Sequence, residues 1–148
     1  MEKTKRYDSL FQYYAELNEL DWMLLKAQAW VESRLDPHAV SPAGAMGLAQ
    51  FMPATWEEVG DGNIFCAEDS IQAQAKYMKW LFCQFKDADE KDRLKWVLAS
   101  YNWGIGHVKR LYESGDEFWQ VWKDLPKETQ QYIAKVIFTW QKMKRGMM

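Results

Sequence analysis

The sequence predicts an all-α protein with little or no β-sheet. Apolar residues recur with helical periodicity along most of the chain, whereas the alternating, β-branched-rich pattern of strands is almost absent. Prolines also stand where first-turn prolines belong, and polar residues stand near the predicted helix starts. With 148 residues, 48% of them hydrophobic, the chain is expected to form a single domain over residues 1–148 with a real core.

Boundary residues place the individual helices in chain order. Asp21 and Ser70 are candidates for capping or early-turn positions, and Pro53 and Pro126 mark two further helix starts. The predicted helices span residues 8–17, 21–34, 53–59, 68–86, 91–102, 104–113 and 126–144, and the predicted loops span 36–48 and 60–67.

Charge and hydropathy exclude several classes of protein. A net charge of −2 and a pI of about 5.7 argue against a nucleic-acid-binding protein, which usually presents a basic face. The N-terminus has no apolar signal-peptide core, and no run of about 18 apolar residues exists for a membrane span. We therefore expect a protein that is made in the cytoplasm without a signal peptide and is not inserted into a membrane.

The chain has too few cysteines for a disulfide framework and too few cysteines and histidines for a metal centre. Cys66 and Cys83 cannot form a disulfide framework, and a cytoplasmic origin argues against a stable bridge between them. His38 and His107 are isolated, and no CxxC or His/Cys spacing is present. We expect no metal, no other cofactor and a monomer.

Aromatic residues are abundant. Nine Trp and seven Tyr are many for a chain of this length. Most are expected in the core, where their polar atoms need hydrogen-bond partners. A surplus also suits a groove on which sugar rings stack.

Glu32 is the first candidate for a catalytic group. At about 100° per residue, Trp22, Leu25, Ala29 and Glu32 fall within a sector of roughly 80°, so the carboxyl extends an apolar stripe. Burial and the nearby helix C-terminus would both raise its pKa and favour the protonated form that a general acid needs. A structural carboxylate paired with Arg34 fits the spacing equally well.

The segment that follows is rich in small residues and ends in GLAQF. Gly44 and Gly47 allow a backbone to approach a ligand closely. Ser41 and Gln50 add neutral hydrogen-bonding groups, which suit sugars and acetamido groups better than phosphates. By itself the segment could equally be a connection between two helices.

Four motifs in order resemble one family. VES, SPAGAMGLAQFMPATW, SYNWG and LPKETQQYIAKV span residues 30–136 and resemble the motifs of the soluble lytic transglycosylase (SLT) domain, which is similar in fold to goose-type lysozyme. The resemblance implies a lysozyme-like helical domain with a substrate groove, a motif-bearing core at about 20–142, and peptidoglycan glycan strands as substrate. The short chain without a signal also resembles a single-domain phage endolysin, which would act on the host wall in the periplasm after release.

The resemblance also implies roles for individual residues. Glu32 matches the single catalytic acid/base. Ala49 stands where the family's GLMQ-like motif has Met, and Ser100 stands where its AYN motif has Ala, so the contribution of that Met is in doubt. The residues implied to bind substrate are Ser41, Gln50, Tyr101, Asn102, Glu128 and Tyr132.

Spacing alone leaves the roles of the last residues open. Glu128 and Tyr132 are four residues apart on one predicted helix and therefore share a face. They can line a groove together, or Tyr132 can pack in the core beneath an exposed Glu128. Tyr101 and Asn102 precede the break at Gly104 and can equally be an ordinary helix end.

The resemblance implies cleavage of the MurNAc-β-1,4-GlcNAc bond with one carboxylate, which leaves 1,6-anhydroMurNAc ends. Ordinary glycosidases use two carboxylates roughly 5–9.5 Å apart. A hydrolytic muramidase is the first alternative, with Asp36 as a candidate second carboxylate and Glu57, Glu58 and Glu68 less favoured. A non-catalytic glycan-binding phage structural module and a helical interaction protein are further alternatives.

Overall fold

Residues 3–148 are described by the structure, a computed structural model, and they form eight α-helices and two 3₁₀ helices. The only β-type pairing among these residues consists of two isolated bridges, Val40 with Met46 and Met46 with Phe51. The helical fold class is therefore as predicted. The α-helices are α1 (Asp8–Leu17), α2 (Trp22–Ser33), α3 (Pro53–Val59), α4 (Ala67–Gln84), α5 (Glu90–Trp103), α6 (Ile105–Glu113), α7 (Phe118–Val121) and α8 (Lys127–Lys144), and the 3₁₀ helices are Lys3–Lys5 and Trp122–Asp124.

Seven of the α-helices lie where the sequence predicts them, with boundaries that differ by two residues at most. The Asp21 carboxylate caps α2 by accepting a hydrogen bond from the Met23 amide at 2.8 Å, and Pro53 is the first residue of α3. α7 and the two 3₁₀ helices were not predicted because three or four residues are too short to show a periodicity. A capping box between Glu117 and Gln120 is the signal that marks α7.

The chain divides into two compact units, and both points of division fall within helices, one in α4 and one in α8. The first unit comprises the chain up to Lys79 together with Val136–Met148. The second unit comprises Trp80–Lys135. No helix among residues 3–148 is both long enough and apolar enough to cross a membrane.

The first unit combines an apolar core with a buried polar network. α1 packs against α2, and the buried Lys26 ammonium on α2 pairs with the Asp8 carboxylate on α1 at 2.7 Å. The side-chain amide nitrogen of Gln74 donates to the Leu25 carbonyl at 3.0 Å and to the Gln28 amide oxygen at 2.7 Å. These bonds pair polar groups that would otherwise be costly to bury, and Gln28 lies one turn before Glu32 on α2.

The second unit has an aromatic core. Trp96 on α5 stacks on Phe85 with 6.0 Å between ring centroids, and both rings meet the edge of Tyr112 on α6 at 5.1 and 4.9 Å. Phe118 at the start of α7 contacts Trp96 edge to face at 4.9 Å. These offset and edge-on contacts suit the ring quadrupoles and fix α6 and α7 against α5.

Most of the sixteen Trp and Tyr side chains lie at the boundary between core and solvent, and not in the core as expected. Only Trp96, Tyr14 and Tyr132 are buried, and Trp119 is 70% exposed. Large side chains with a polar atom are seldom buried completely, which explains the difference. Cys66 and Cys83 are free thiols.

Candidate functional site

Glu32 is the penultimate residue of α2 and is half-buried. Leu25 and Ala29, which precede it on the same helix face, are both fully buried, while Trp22 is half-buried. The predicted position of the carboxyl at the end of an apolar stripe is therefore confirmed. Such a position leaves one side of the carboxyl in the protein and one side at the surface.

The end of α2 depends on unusual backbone conformations. Arg34 and Leu35 have φ angles of 56° and 63°, in the left-handed region that residues with side chains rarely adopt. This reversal turns the chain sharply after Glu32, at a cost of about 1–2 kcal/mol per residue that the surrounding packing must offset. The Arg34 guanidinium lies 4.9 Å from the centre of the Trp30 ring.

A closed hairpin follows at residues 46–51. Met46 and Phe51 exchange two backbone hydrogen bonds of 2.9 and 3.1 Å. Gly47 has φ of 86°, and a Cβ atom at this position would lie 2.2 Å from the Ile64 carbonyl oxygen, so only glycine fits. Gln50 is also left-handed, with φ of 55°. The small residues of this segment therefore serve a compact turn.

Ser41 and Gln50, the two candidate substrate-binding residues between α2 and α3, both form hydrogen bonds to nearby backbone atoms. The Ser41 hydroxyl oxygen accepts a hydrogen bond from the Ala45 amide at 3.0 Å. The side-chain nitrogen of Gln50 donates to the carbonyls of Gly47 at 2.9 Å and Ala39 at 3.1 Å. These bonds use both amide hydrogens of Gln50 and orient its side-chain oxygen.

Two serines that sequence reasoning did not connect with the site hold the hairpin. The Ser33 hydroxyl donates to the Leu48 carbonyl at 2.7 Å, and the Ser70 hydroxyl accepts from the Ala49 amide at 3.1 Å. Ser70 was predicted as a capping or early-turn residue, and it does lie in the first turn of α4. Its contact with a loop residue 21 positions away has no periodic signature in the sequence.

The remaining candidates lie in the second unit, where α5 ends and α8 begins. Asn102 is half-buried near the end of α5, and its side-chain oxygen accepts a hydrogen bond from the buried Thr129 hydroxyl at 2.8 Å. Glu128 is exposed, whereas Tyr132 is 5% exposed. Of the two arrangements that the spacing allowed, a buried tyrosine with an exposed glutamate is the one observed. Tyr101 is half-buried beside Asn102.

The candidate residues therefore form two groups, one in each unit. Glu32, Ser41 and Gln50 belong to the first unit, and the hydrogen bonds of Ser33 join the end of α2 to the hairpin. In the second unit, Thr129 joins Asn102 to the start of α8. Thr129 is another residue that sequence reasoning missed, although it stands inside the ET pair of the fourth motif.

A protein-family model, the transglycosylase SLT domain, matches residues 9–119, which contain Glu32, the hairpin and Asn102. The chain belongs to the transglycosylase SLT domain family. The third motif, residues 100–104, lies within the matched range, whereas the fourth motif, residues 125–136, lies beyond it.

Relatives of this SLT domain include two proteins named membrane-bound lytic murein transglycosylase F. The one from Marinobacter nauticus is 40% identical over 124 residues, which are 81% of this chain and 25% of the relative. The one from Haemophilus influenzae is 36% identical over 129 residues, 82% of this chain and 26% of the relative. The chain thus spans about a quarter of the length of these curated relatives.

Solved structures match the SLT domain in fold. The 70-kDa soluble lytic transglycosylase of Escherichia coli superposes with a TM-score of 0.78 and 25% identity, over 96% of this chain and 25% of that one. An inactive mutant of lytic transglycosylase Slt from Pseudomonas aeruginosa superposes with a TM-score of 0.77 and 22% identity, over 97% of this chain and 25% of that one. The predicted all-α, lysozyme-like fold is therefore confirmed.

Proposed function

We propose that this chain is a peptidoglycan lytic transglycosylase domain that cleaves the MurNAc-β-1,4-GlcNAc bond and leaves 1,6-anhydroMurNAc ends. The proposal is supported by membership of the SLT family and by relatives that are named lytic murein transglycosylases. The observation that carries it is the position of Glu32, a half-buried carboxyl at the end of an apolar helix face, directly before a sharp backbone reversal.

Glu32 acts as both acid and base in the proposed reaction. Protonated Glu32 donates its proton to the glycosidic oxygen as the bond from that oxygen to C1 of MurNAc breaks. The oxocarbenium-like centre is assisted by the 2-acetamido group. The ionised carboxylate then takes the proton of the MurNAc 6-hydroxyl, whose oxygen bonds to C1. The proton lost in the first step is recovered in the second, and no water is consumed.

A single carboxylate is sufficient for this chemistry because the nucleophile belongs to the substrate. Hydrolases that use two carboxylates need the second one to activate water or to attack C1. The Pseudomonas aeruginosa Slt structure is of a mutant in which glutamine replaces a glutamate, and that mutant is described as inactive. The loss of activity shows that this glutamate is required in that protein, as it would be in an enzyme with one or with two catalytic carboxylates.

Neutral groups are proposed to bind the sugar. The Gln50 side-chain oxygen, oriented by the two bonds of its nitrogen, accepts from a substrate N–H or O–H group. The Asn102 side-chain oxygen is turned towards Thr129 by their hydrogen bond, so the side-chain nitrogen points away from Thr129. We propose that this nitrogen donates to a substrate oxygen. Further contacts are proposed for Ser41, Tyr101 and Glu128, which match motif positions and reach the surface. Tyr132 matches the last motif position but is 5% exposed, so we propose that it supports the groove from below.

A hydrolytic muramidase is the second candidate, and Asp36 is the observation that favours it. This carboxylate is exposed four residues after Glu32, and it accepts a hydrogen bond from the His38 amide at 2.9 Å. A held water beside Asp36 would give a reducing MurNAc end instead of an anhydro end.

We also propose a biological setting, in which the domain acts as a monomer on the periplasmic peptidoglycan of a bacterium and serves a bacteriophage as its endolysin. Breakage of glycan strands is the chemistry that release of phage particles requires. Co-expression with a holin tests the setting: lysis should need both the holin and an intact Glu32. Lysis that is independent of the holin would contradict the endolysin role. Light scattering after gel filtration tests the monomer.

Mass spectrometry of soluble products released from purified peptidoglycan tests the activity itself. Products that carry 1,6-anhydroMurNAc, lighter by one water than hydrolysis products, are expected. Reducing MurNAc ends would favour the muramidase and direct attention to Asp36. No release by the folded protein from several wall types would instead favour a glycan-binding module without activity.

A further inference from the structure

One peptide group in the hairpin is held from both sides by serine hydroxyls. The carbonyl of the Leu48–Ala49 peptide accepts a hydrogen bond from Ser33 at 2.7 Å, and the amide of the same peptide donates to Ser70 at 3.1 Å. Ser33 is the last residue of α2, and Ser70 lies in the first turn of α4. We refer to Ser33, this peptide group and Ser70 as the serine clamp.

The peptide group and Ser70 of the serine clamp are buried, and Ser33 is half-buried. Leu48, Ala49 and Ser70 each have no exposed surface. Water therefore cannot replace Ser70 as the partner of the Ala49 amide without a rearrangement of the hairpin. The Ser33 hydroxyl also lies 3.2 Å from the Ala29 carbonyl, but a hydroxyl has one hydrogen, and the shorter contact is the one to Leu48.

The serine clamp links the two parts of the site that the proposed function uses. Ser33 is bonded covalently to Glu32, and Ala49 is bonded covalently to Gln50. The fixed peptide plane therefore lies one residue before Gln50, whose backbone is left-handed with φ of 55°. The end of α2 and the hairpin both contain left-handed residues, and the two serines add to the backbone hydrogen bonds that close the hairpin.

We propose that Ser33 and Ser70 are positioning residues for the proposed transglycosylase reaction, and that they act together through the Leu48–Ala49 peptide group to fix Glu32 relative to Gln50. This inference rests on the proposed function. Neither serine touches the substrate. Their effect is on the distance between the acid and the sugar that Gln50 holds, which governs the rate of the chemical step more than the strength of binding.

The test uses Ser33→Ala, Ser70→Ala and the double variant, with kcat and KM measured on soluble uncross-linked glycan strands and normalised to the folded fraction. Each single variant should lower kcat about 10- to 100-fold with KM little changed. Ser33→Thr, which keeps the hydroxyl, should restore most of kcat. The control is Ser100→Ala, since Ser100 is buried and donates at 2.9 Å only within its own helix, to Trp96.

Coupling between the serines is the decisive result. If both serines act through one peptide group, the loss of kcat in the double variant should be little larger than in the worse single variant. The reason is that removal of one serine already frees the Leu48–Ala49 peptide group, so that the second serine can no longer fix it. Losses that multiply, or losses no larger than that of Ser100→Ala, would overturn the proposal. If Ser70→Ala does not fold, Ser33→Ala and its rescue by threonine decide the result.

Hydrogen exchange separates failure of the clamp from failure of the proposed function. The Ala49 amide should exchange slowly in the wild type and at least tenfold faster in Ser70→Ala. If the wild type releases no anhydro products, the proposed function fails, and with it the positioning role, whatever the exchange rate. If the wild type is active but the serine variants keep both kcat and slow exchange, the serine clamp alone is wrong.

Discussion

The two groups of candidate residues are held in place in different ways. In the first unit, residues 32–51 are fixed by left-handed backbone conformations, three of them at residues other than glycine, by a closed hairpin and by the serine clamp. In the second unit, Asn102 and Tyr132 sit on regular helices, where Asn102 accepts a side-chain hydrogen bond and Tyr132 is buried. We propose that the two groups also differ in function: the first group places the reacting carboxyl, and the second group binds substrate through its side chains.

The largest effect expected from this comparison is that of Glu32→Gln. It removes the proton donor at nearly constant volume, so kcat should fall by about 10²- to 10⁴-fold while the unfolding transition stays close to that of the wild type. The matched change in the second unit is Glu128→Gln, on an exposed carboxylate. It should raise KM several-fold and leave kcat within about threefold, because exposed groups contribute modestly.

Measurements of kcat and KM, together with chemical denaturation, check the predictions for Glu32→Gln and Glu128→Gln. Equal losses of kcat would break the comparison, since they would place a second essential carboxyl in the second unit. Wild-type turnover by Glu32→Gln would show that another group is the acid.

The next effect is on stability and tests whether the hairpin is as tightly built as its geometry indicates. Gly47→Ala adds a Cβ atom 2.2 Å from the Ile64 carbonyl oxygen at a positive φ, and it should lower the free energy of unfolding by about 2–5 kcal/mol. Gly44→Ala is the control, because its φ is 95° but no atom lies within 4 Å of the added carbon. That variant should lose only about 1–2 kcal/mol.

Urea titrations give both values, and activity of the folded fraction gives the second readout. A Gly47→Ala variant as stable as Gly44→Ala would mean that the hairpin yields easily. The precise placement attributed to the first unit would then have no structural basis.

A smaller, pH-dependent effect concerns the first turn of α4, which carries both Ser70 and Glu68. Tyr14 donates to the Glu68 carboxylate at 2.6 Å, and this bond, with burial, raises the pKa of Tyr14 from 10.0 to about 12. The folded state thus favours neutral Tyr14. Its contribution to stability is complete below pH 10 and is lost as the pH rises towards 12.

Tyr14→Phe should therefore be less stable than the wild type at pH 8, by about 1.5–3 kcal/mol for a hydrogen bond to a charged group. The two unfolding curves should converge as the pH approaches 12. Tyr112 in the second unit also has a raised pKa, mainly because of burial, so some alkaline destabilisation should remain in the variant. A stability difference that stays constant from pH 8 to 12 would rule out titration of Tyr14 as its source.

Much of the fold is predictable because helices are local. The apolar periodicity and the boundary residues Asp21 and Pro53 place seven helices to within two residues. α7 is not predictable from periodicity because its four residues make only one turn. Gly115 and Pro126 on either side also make the region resemble a loop. Local signals also place Glu32 one turn after the buried Ala29, and its catalytic role stays a prediction.

The supports of the candidate site are less predictable because they are not local. Ser33 and Ser70 meet residues 15 and 21 positions away, and Thr129 meets Asn102 27 positions away. The residue types alone do not predict which distant residues form such hydrogen bonds. The left-handed conformations of Arg34 and Gln50 were equally hidden, since such positions normally select glycine or asparagine.

The smallest predicted effect tests the second unit at the hydrogen bond between Thr129 and Asn102. Thr129→Val keeps the shape of the buried side chain and removes the hydroxyl that donates to Asn102. The free energy of unfolding should fall by about 0.5–1.5 kcal/mol. Because the Asn102 amide can then rotate, KM should rise about three- to tenfold while kcat stays near the wild-type value. Thr129→Ser, which keeps the donor, is the control and should retain the wild-type KM. A fall in kcat without a rise in KM would mean that Asn102 positions the reacting bond, and the proposed division between a placing unit and a binding unit would have to be abandoned.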